Sequence, residues 1–204
     1  MLAPLSFLAG AASWSAMEYA LHRFVGHGPR RRAPATLLGR LTPSGFAGAF
    51  NAEHLAHHAD HRYFAPTSQK AVAAAVVTTA ASALGAAAFG GRRGLSFGLG
   101  LGAAYVGYEL MHRRVHTRGP RNAYERWMWR HHLHHHFKSP RNNHGVTSPV
   151  LDRAFGTEVP VTERIRIPRQ HAPAWLLDDQ GAVRPEYEAD YSVAQDPVPR
   201  RKFG

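Results

Sequence analysis

The 204-residue chain contains no cysteine. Disulfides and thiolate metal sites are therefore excluded, and thiols give no information about the redox compartment. Acidic residues are also scarce, because 14 Asp and Glu stand against 25 Lys and Arg, which gives a formal net charge of +11. Such an excess is typical either of a nucleic-acid-binding protein or of a membrane protein whose basic residues gather on the cytosolic side.

Three long runs without charge favour the membrane protein. They cover residues 1–17, 71–91 and 94–108. At 1.5 Å per helical residue the middle run spans about 32 Å, close to the hydrocarbon thickness of a bilayer. Each of the two shorter runs needs one more turn, and those turns contain Glu18 and Glu109. Three Ala/Gly-rich helices in a soluble core are the alternative interpretation.

Basic residues predict the topology. Seven Lys and Arg lie in 22–70 and seven more in 112–138, whereas the turn GGRRG between the second and third runs contains only Arg92 and Arg93. The positive-inside rule then places 22–70 and the C-terminal part in the cytosol, with 71–111 as a membrane hairpin. The first run is predicted to be a retained helix rather than a signal peptide, because no Lys or Arg precedes it.

These features predict an all-α integral membrane protein with a cytosolic histidine-rich helical cap and a short irregular C-terminal tail. Helices are expected at about 2–24, 46–61, 71–90, 94–117 and 122–137. We expect a membrane-embedded di-metal domain over 1–157 and a polar, Pro-rich cytosolic extension over 158–204. Within the extension, TERIRI (162–167) alternates polar and apolar residues as a short strand does, and the last stretch, about 20 residues, has the composition of a solvated tail.

Histidine is abundant, with 15 residues, and ten of them form four boxes. The boxes are HRFVGH (His22 and His27), HLAHH (His54, His57 and His58), HRRVH (His112 and His116) and HLHHH (His132, His135 and His136). Residues three or four apart share one helix face, so the last three boxes each present their imidazoles to one side. His22 and His27 are five apart, and we expect His22 on the last turn of the first helix and His27 in a loop that folds back beneath it.

All four boxes lie at or beyond the ends of apolar runs, on one predicted side of the membrane, so their side chains are expected to converge. Ten imidazoles are too many for one metal ion and suit two ions with about five ligands each. Neutral nitrogen ligands favour Fe, Zn, Cu or Ni over Ca or Mg. Nearby carboxylates are expected to offset the charge and orient the rings, with Glu18 and Glu109 as the best candidates and Asp60 as a weaker one. Each could instead form an ion pair with an arginine.

Four stretches resemble a known family: EYALHRFVGHG (18–28), EHLAHHADHRYFAP (53–66), YELMHRRVHTRGP (108–120) and HHLHHHFKSPRNNHGVTSPVLDRAFGT (131–157). Over roughly 14–157 the chain resembles the fatty acid hydroxylase superfamily of integral-membrane, non-haem di-iron enzymes, which includes sterol desaturases. The fatty acyl 2-hydroxylase branch is nearest. The resemblance implies that the ten box histidines bind two Fe ions, with Zn possible in a purified form.

The resemblance also implies the reaction, which is O2-dependent hydroxylation of an unactivated C–H bond of a membrane lipid, in the first place a fatty acyl chain. An electron donor of ferredoxin or cytochrome type is expected as a separate protein, because no cytochrome b5 domain precedes the first helix in this sequence. Lipid desaturation and carotenoid ring hydroxylation are alternatives within the superfamily. The third box disfavours the carotenoid branch, which has H-x4-H with Asp after the first His, whereas this chain has H-x3-H with Arg113 there.

A histidine-rich membrane metal carrier or buffer is the alternative from another class. It is disfavoured because every box lies at the end of an apolar run or beyond it, where ligands would not line a path through the membrane. Nucleic acid is not expected as a partner, since the aromatic interleaving that base stacking requires is not evident.

The last box has two possible registers. His131, His134 and His135 also make H-x2-HH, although alignment on the following Phe137 favours His132, His135 and His136. His131 and His134 are then either solvated neighbours on the opposite helix face or ligands in a register shifted by one. Both are candidates for a place around the ligands, as is Asp152. Asp152 and the GVTS stretch 145–148 match the family's segment after the last box, and the resemblance gives His144 no role.

Overall fold

The computed structural model describes residues 2–194, apart from the side chain of Leu37. That part of the chain is mostly helical, with α1 (Pro4–Ala20), α2 (Leu37–Arg40), α3 (Pro43–Ala59), α4 (Thr67–Phe89), α5 (Gly91–Thr117), α6 (Ala123–Phe137) and α7 (Val150–Ala154). Helix α1 continues directly into a π-helical turn, Leu21–Gly26. The strands β1 (Ile165–Pro168) and β2 (Tyr191–Ala194) pair in parallel, with Ile165 opposite Tyr191.

Capping residues explain where the histidine-bearing helices begin. Helix α3 starts three residues before its predicted position, because the Thr42 hydroxyl accepts the N–H of Gly45 at 3.1 Å and Pro43 fits the first helical position. Helix α6 starts after Asn122, whose side chain accepts the N–H of Glu125 at 2.9 Å. The short helices α2 and α7 have no counterpart among the predicted elements, since each is too short to show a periodic pattern.

Helices α1, α4 and α5 pack side by side through glycine. A β-carbon on Gly10 would lie 2.0 Å from the carbonyl oxygen of Phe97, and one on Gly100 would lie 2.0 Å from the carbonyl oxygen of Phe7. Helices α1 and α5 are therefore close enough for backbone to touch backbone. Between α4 and α5 the chain reverses at Gly90, whose φ of 88° and ψ of 153° are a combination that essentially only glycine adopts.

The outer surface of this three-helix layer is apolar. Within residues 2–194, α4 is the one helix that is long and apolar enough to cross a membrane, and only 6% of its apolar window is buried. The other two predicted spans, in α1 and α5, do not meet the same criterion, but they also expose apolar side chains, among them Leu5, Leu8, Leu95 and Leu110. These side chains point away from the protein rather than into a core.

The C-terminal part corrects the expectation of an all-α fold that ends in an irregular, solvated tail. The predicted strand is present, although its bounds are Ile165–Pro168, and it pairs with a second strand that was not predicted. The segment 158–194 packs into the hydrophobic core through four side chains that are at most 1% exposed, Ile165, Ile167, Leu176 and Tyr191. The rest of the predicted tail, 195–204, lies outside the described residues.

This core holds α6 against the end of α5. Met128, Trp129 and Leu133 of α6 are fully buried in it. The indole N–H of Trp129 donates to the carbonyl of Arg118 at 2.7 Å, and the indole N–H of Trp175 donates to the carbonyl of Val115 at 3.0 Å. With its apolar face fixed in this way, α6 turns its histidines toward the ends of α1 and α5 and toward α3.

Candidate metal centre

The first box spans the π-helical turn that follows α1, with His22 in the turn and His27 directly after it. A π-helix closes hydrogen bonds between residues five apart, and the N–H of His27 donates to the carbonyl of His22 at 3.0 Å. The wider turn places side chains five apart on one face, so the two ring centroids lie 5.2 Å from each other. As predicted, His27 lies just beyond the helix, which ends at Gly26, but the widened last turn rather than a folded-back loop brings its ring to His22.

The ten box histidines converge into two sets of five. We call one the first histidine group, which contains His22, His27, His54, His58 and His135. The second histidine group contains His57, His112, His116, His132 and His136. In each group the candidate ligand nitrogens all lie within 4.8 Å of one another. The other histidines of residues 2–194 belong to neither group.

Hydrogen bonding alone cannot account for the first histidine group. The Nε2 of His135 lies 2.9 Å from the Nε2 of His22, 2.9 Å from that of His27 and 3.2 Å from that of His58. A neutral imidazole nitrogen has either one proton or one lone pair, so it satisfies one such partner and not three. Two nitrogens bound at 2.0–2.1 Å and at right angles to a shared metal ion would be about 3.0 Å apart. The separations therefore fit a shared cation.

The tautomers support this conclusion. The Nδ1 of His22 lies 2.5 Å from the carbonyl oxygen of His144, and the Nδ1 of His135 lies 2.7 Å from that of Asn142. Because a carbonyl only accepts, each Nδ1 carries the proton and each Nε2 carries a lone pair. Two lone pairs therefore face each other across 2.9 Å, which is repulsive without a cation between them.

The second histidine group has the same character. The Nε2 of His132 lies 3.1 Å from that of His116 and 3.0 Å from that of His136. The Nδ1 of His57 donates to the carbonyl of Tyr63 at 2.8 Å, and its Nε2 is buried with no hydrogen-bond partner in the described part of the chain. The free lone pair of His57 thus points into the group, as a ligand's would.

Adjacent residues connect the two groups. His57 and His58 follow each other on α3 but belong to different groups, and the same is true of His135 and His136 on α6. The rings of His58 and His136 stack across the boundary, with centroids 4.1 Å apart and planes at 13°. Two helices therefore supply ligands to both groups, which fits a pair of neighbouring metal ions.

Burial keeps these imidazoles neutral. Desolvation lowers the pKa of His57 to about 4, although its hydrogen bond to the Tyr63 carbonyl opposes the shift. Desolvation and neighbouring imidazoles hold the pKa values of His132, His135 and His136 well below the usual value for histidine. At neutral pH the rings are therefore uncharged, which is the state that binds metal ions.

The carboxylates predicted to orient the rings contact other groups. Glu18 accepts the N–H of Val146 at 2.5 Å and both the N–H and the hydroxyl of Thr147. Glu109 pairs with Lys70, and the half-exposed Asp60 pairs with Arg62. Among the hydrogen bonds of residues 2–194, none joins these carboxylates to a histidine ring. Main-chain carbonyls orient three of the rings instead, those of His22, His57 and His135, and side-chain spacing gives no signal for these carbonyls.

His131 and His134 are buried, at 3% and 4% exposure, which corrects the expectation of solvated neighbours. The Nε2 of His131 lies 3.5 Å from Oδ2 of Asp152, and the Nδ1 of His134 lies 3.3 Å from the side-chain amide nitrogen of Asn143. Neither ring belongs to a histidine group. They sit on the face of α6 that meets the segment 139–159, and sequence reasoning missed Asn143, which holds this segment.

The family model of the fatty acid hydroxylases matches residues 7–157. The chain belongs to this family. Within it, the ceramide very long chain fatty acid hydroxylase scs7 of Schizosaccharomyces pombe is 31% identical over 168 residues, which cover 76% of this chain and 42% of that protein. The dihydroceramide fatty acyl 2-hydroxylase FAH2 of Arabidopsis thaliana is 27% identical, over 72% of this chain and 58% of that protein. The FAH1 protein of the same plant is 29% identical, over 77% and 61%.

A solved structure of the family has the same fold. Full-length scs7p, of which only the hydroxylase domain is visible, matches with a TM-score of 0.54 and 26% identity, over 76% of this chain and 56% of that chain. The chain thus spans between 42% and 61% of the length of the three curated relatives that it matches.

Proposed function

We propose that the protein is a membrane-bound, O2-dependent di-iron hydroxylase that oxidises an unactivated C–H bond of a lipid, with a fatty acyl chain as the substrate. The observation that carries the proposal is the convergence of ten neutral imidazoles into two groups whose Nε2 lone pairs face one another. The names of the relatives, which are fatty acid and fatty acyl 2-hydroxylases, support the acyl chain as the substrate class.

The donor set fits two iron ions, one for each histidine group, and the same nitrogens also suit Zn in a purified sample. Iron held there would bind and reduce O2 and supply the oxidising power for C–H cleavage. The protein's part is to hold the ligands in place. The fixed Nδ1–H bonds of His22, His135 and His57 keep each Nε2 aimed inward before a metal binds.

We propose that the acyl chain reaches the site along an aromatic wall between α1 and α5. Trp14 packs edge-on against Tyr105, with centroids 4.8 Å apart, and lies 5.4 Å from Tyr108. Tyr108 in turn stacks on the ring of His112, at 5.6 Å and 16°. This wall runs from the apolar layer to the second histidine group and excludes water along the way, since Trp14 and His112 are at most 9% exposed.

We further propose that α1, α4 and α5 lie in the membrane, with both histidine groups on the cytosolic side. The outward-facing apolar side chains of the three helices support insertion, and the seven basic residues in 22–70 support the orientation. In this arrangement residues 1–157 form the di-metal domain and 158–204 a cytosolic extension. A C-terminal green fluorescent protein fusion should fluoresce in a bacterial host, and a dark fusion would contradict the orientation.

The reaction also consumes electrons that must reach the histidine groups from elsewhere, because imidazole ligands supply none. We propose a donor protein of ferredoxin or cytochrome type that delivers them at the cytosolic face. Chemical reductant can replace the donor in a first test, so that the identity of the donor does not decide the outcome.

The test of the function uses purified protein loaded with iron and supplied with reductant, O2 and the lipids of its host. We expect mass spectrometry to show one added oxygen atom in an acyl chain, and the Zn-loaded protein serves as the inactive control. A product that has lost two hydrogens would instead identify a desaturase, and oxidation of a carotenoid ring would identify that branch. If no host lipid is oxidised, the proposal is wrong.

A further inference from the structure

A single loop orients two ligands of the first histidine group. The carbonyl of Asn142 accepts from His135, and the carbonyl of His144 accepts from His22. The two carbonyls are two residues apart, in the segment between α6 and α7. Since both rings are buried, at 0% and 4% exposure, no water replaces these acceptors. The position of this loop therefore fixes the direction in which two of the five lone pairs point.

The carboxylate of Asp152 holds the loop from behind. It is fully buried on α7, and its Oδ1 accepts the N–H of His144 at 2.9 Å while its Oδ2 accepts the N–H of Gly145 at 2.7 Å. The Thr157 hydroxyl donates to Oδ1 at 2.7 Å. Burial alone would raise the pKa of Asp152, but the nearby His131 ring and hydrogen bonds from Thr157 and the two N–H groups outweigh it and lower the pKa to about 2. The group is therefore an anion at neutral pH.

The peptide bond between residues 144 and 145 connects this anion to a ligand. Its N–H, on Gly145, donates to Asp152, and its carbonyl, on His144, accepts from His22. Hydrogen bonds in such a chain polarise one another, so the negative charge makes the carbonyl a stronger acceptor and the Nε2 of His22 a stronger donor to a metal. A β-carbon on Gly145 would lie 2.2 Å from the carbonyl oxygen of Ser148 and 3.0 Å from Oδ2 of Asp152, so only glycine permits this approach.

Asn143 fixes the same loop from the other side. Its φ of 59° is a left-handed conformation that favours glycine and asparagine. Its side chain accepts the N–H of Val159 at 2.7 Å and donates to the carbonyl of Val159 at 3.0 Å, while its own N–H donates to the carbonyl of Thr157. The loop is thus held at both ends of the 143–145 stretch by buried hydrogen bonds.

We propose that Asp152 is a positioning residue for the metal of the first histidine group and acts on His22 through the 144–145 peptide. The arrangement is a carboxylate–peptide–histidine–metal chain, in which the carboxylate sets both the orientation and the basicity of the ligand. The inference rests on the proposed function, because it assumes that the group binds a metal. It concerns a residue that touches neither the metal nor the substrate.

Asp152→Asn tests this series of hydrogen bonds without changing the size of the side chain. The amide oxygen can accept one of the two backbone N–H groups, but the amide NH2 then faces the other donor. We expect the affinity for one of the two metals to fall about 10- to 100-fold, with the other unchanged. Binding isotherms with Zn, and the visible absorption spectrum of the Co(II)-loaded protein, report this without any assay of activity. His27→Ala and His136→Ala identify which binding step belongs to which group.

The matched control is Glu125→Gln. Glu125 on α6 is also a buried carboxylate, at 3% exposure, and it binds Arg114 at 2.7 Å and accepts the N–H of Arg121 at 2.8 Å. It does not contact the 143–145 stretch. A general loss of stability would therefore appear in both variants, whereas a selective loss of metal affinity at the first histidine group should appear only in Asp152→Asn.

A second variant decides the matter if Asp152→Asn does not fold. Asn143→Gly keeps the left-handed backbone conformation accessible but removes the side-chain hydrogen bonds to Val159. It should also selectively lower the affinity of the first histidine group for its metal. The inference is overturned if the folded variants bind both metals as the wild type does, or lose both equally. A wild-type protein that binds no metal with defined stoichiometry would instead contradict the proposed function, so the two failures are distinguishable.

Discussion

At the scale of the residue, the proton on each imidazole decides what the ring can do. A histidine whose Nδ1–H is bound to a carbonyl presents one lone pair at Nε2, and His22, His57 and His135 are all in this state. A histidine whose nitrogen does not point into one of the two histidine groups is not a candidate ligand, however close it lies in the sequence to one that does. The last box contains both kinds side by side, which makes it the place to test the assignment.

His132→Gln should remove one metal, while His131→Gln should not. The Nε2 of His132 lies within 3.1 Å of two other Nε2 atoms, whereas that of His131 faces Asp152 at 3.5 Å. The two residues are adjacent and almost equally buried, so each controls for the other. We expect His132→Gln to lower the metal content of the purified protein from two ions to about one, as measured by elemental analysis. We also expect it to abolish lipid oxidation, as measured by mass spectrometry of the lipids. Loss of metal from His131→Gln instead would support the shifted register.

At the scale of the element, helix geometry adapts to the site. The π-helical turn after α1 brings together two histidines that an α-helix would separate by about 140°. The glycines of α1 and α5 act at the other end, because they let the two helices approach until backbone meets backbone. The same helix, α5, also carries Gly107, where an added β-carbon would meet no atom of a neighbouring element within 4 Å, so close packing does not require glycine there.

Gly100→Ala and Gly107→Ala should therefore change the free energy of unfolding in opposite directions. The β-carbon at position 100 would collide with the backbone of Phe7, which cannot rotate away, so we expect a loss of about 1–3 kcal/mol in the free energy of unfolding. At position 107 the new methyl group enters open space, and alanine favours a helix over glycine by up to about 1 kcal/mol. Denaturation in detergent micelles, followed by circular dichroism, measures both. Equal destabilisation would contradict the close packing.

At the scale of the whole molecule, the histidine site depends on the C-terminal segment. Helix α6 supplies three of the ten box histidines, and its opposite face is buried against the segment that contains β1 and β2. The chain therefore uses its last described residues as the support for a helix placed much earlier in the sequence. Ion pairs reinforce this contact, since Asp190 binds Arg126 at 2.6 Å.

Ile167→Ala should destabilise the fold and weaken metal binding, while Arg166→Ala should do neither. Ile167 is fully buried in the core behind α6, and truncation of such a side chain costs about 2–5 kcal/mol. Arg166 is its exposed neighbour on the same strand, where substitutions usually change stability by less than about 0.5 kcal/mol. Thermal unfolding with and without added Zn measures both effects. A neutral Ile167→Ala would show that the segment does not support α6.

Much of the architecture follows from local patterns. The charge-free runs predict α4 and α5 to within a few residues, because the length and composition of a run are properties of consecutive residues. The histidine spacing on α3, α5 and α6 likewise places each box on one helix face. The four quoted stretches alone resemble the fatty acid hydroxylase family, and the match of the family model over residues 7–157 confirms this resemblance.

Contacts between distant residues decided the rest. Spacing could not assign the neighbours His57 and His58 to different groups, because that depends on how α3 lies against α5 and α6. Nor could it replace Glu18 and Glu109 with main-chain carbonyls as the groups that orient the rings. A carbonyl has the same identity at every position of the sequence. Only the tertiary fold determines which carbonyl is close enough to accept a hydrogen bond from a ring, and hence which nitrogen faces into the histidine group.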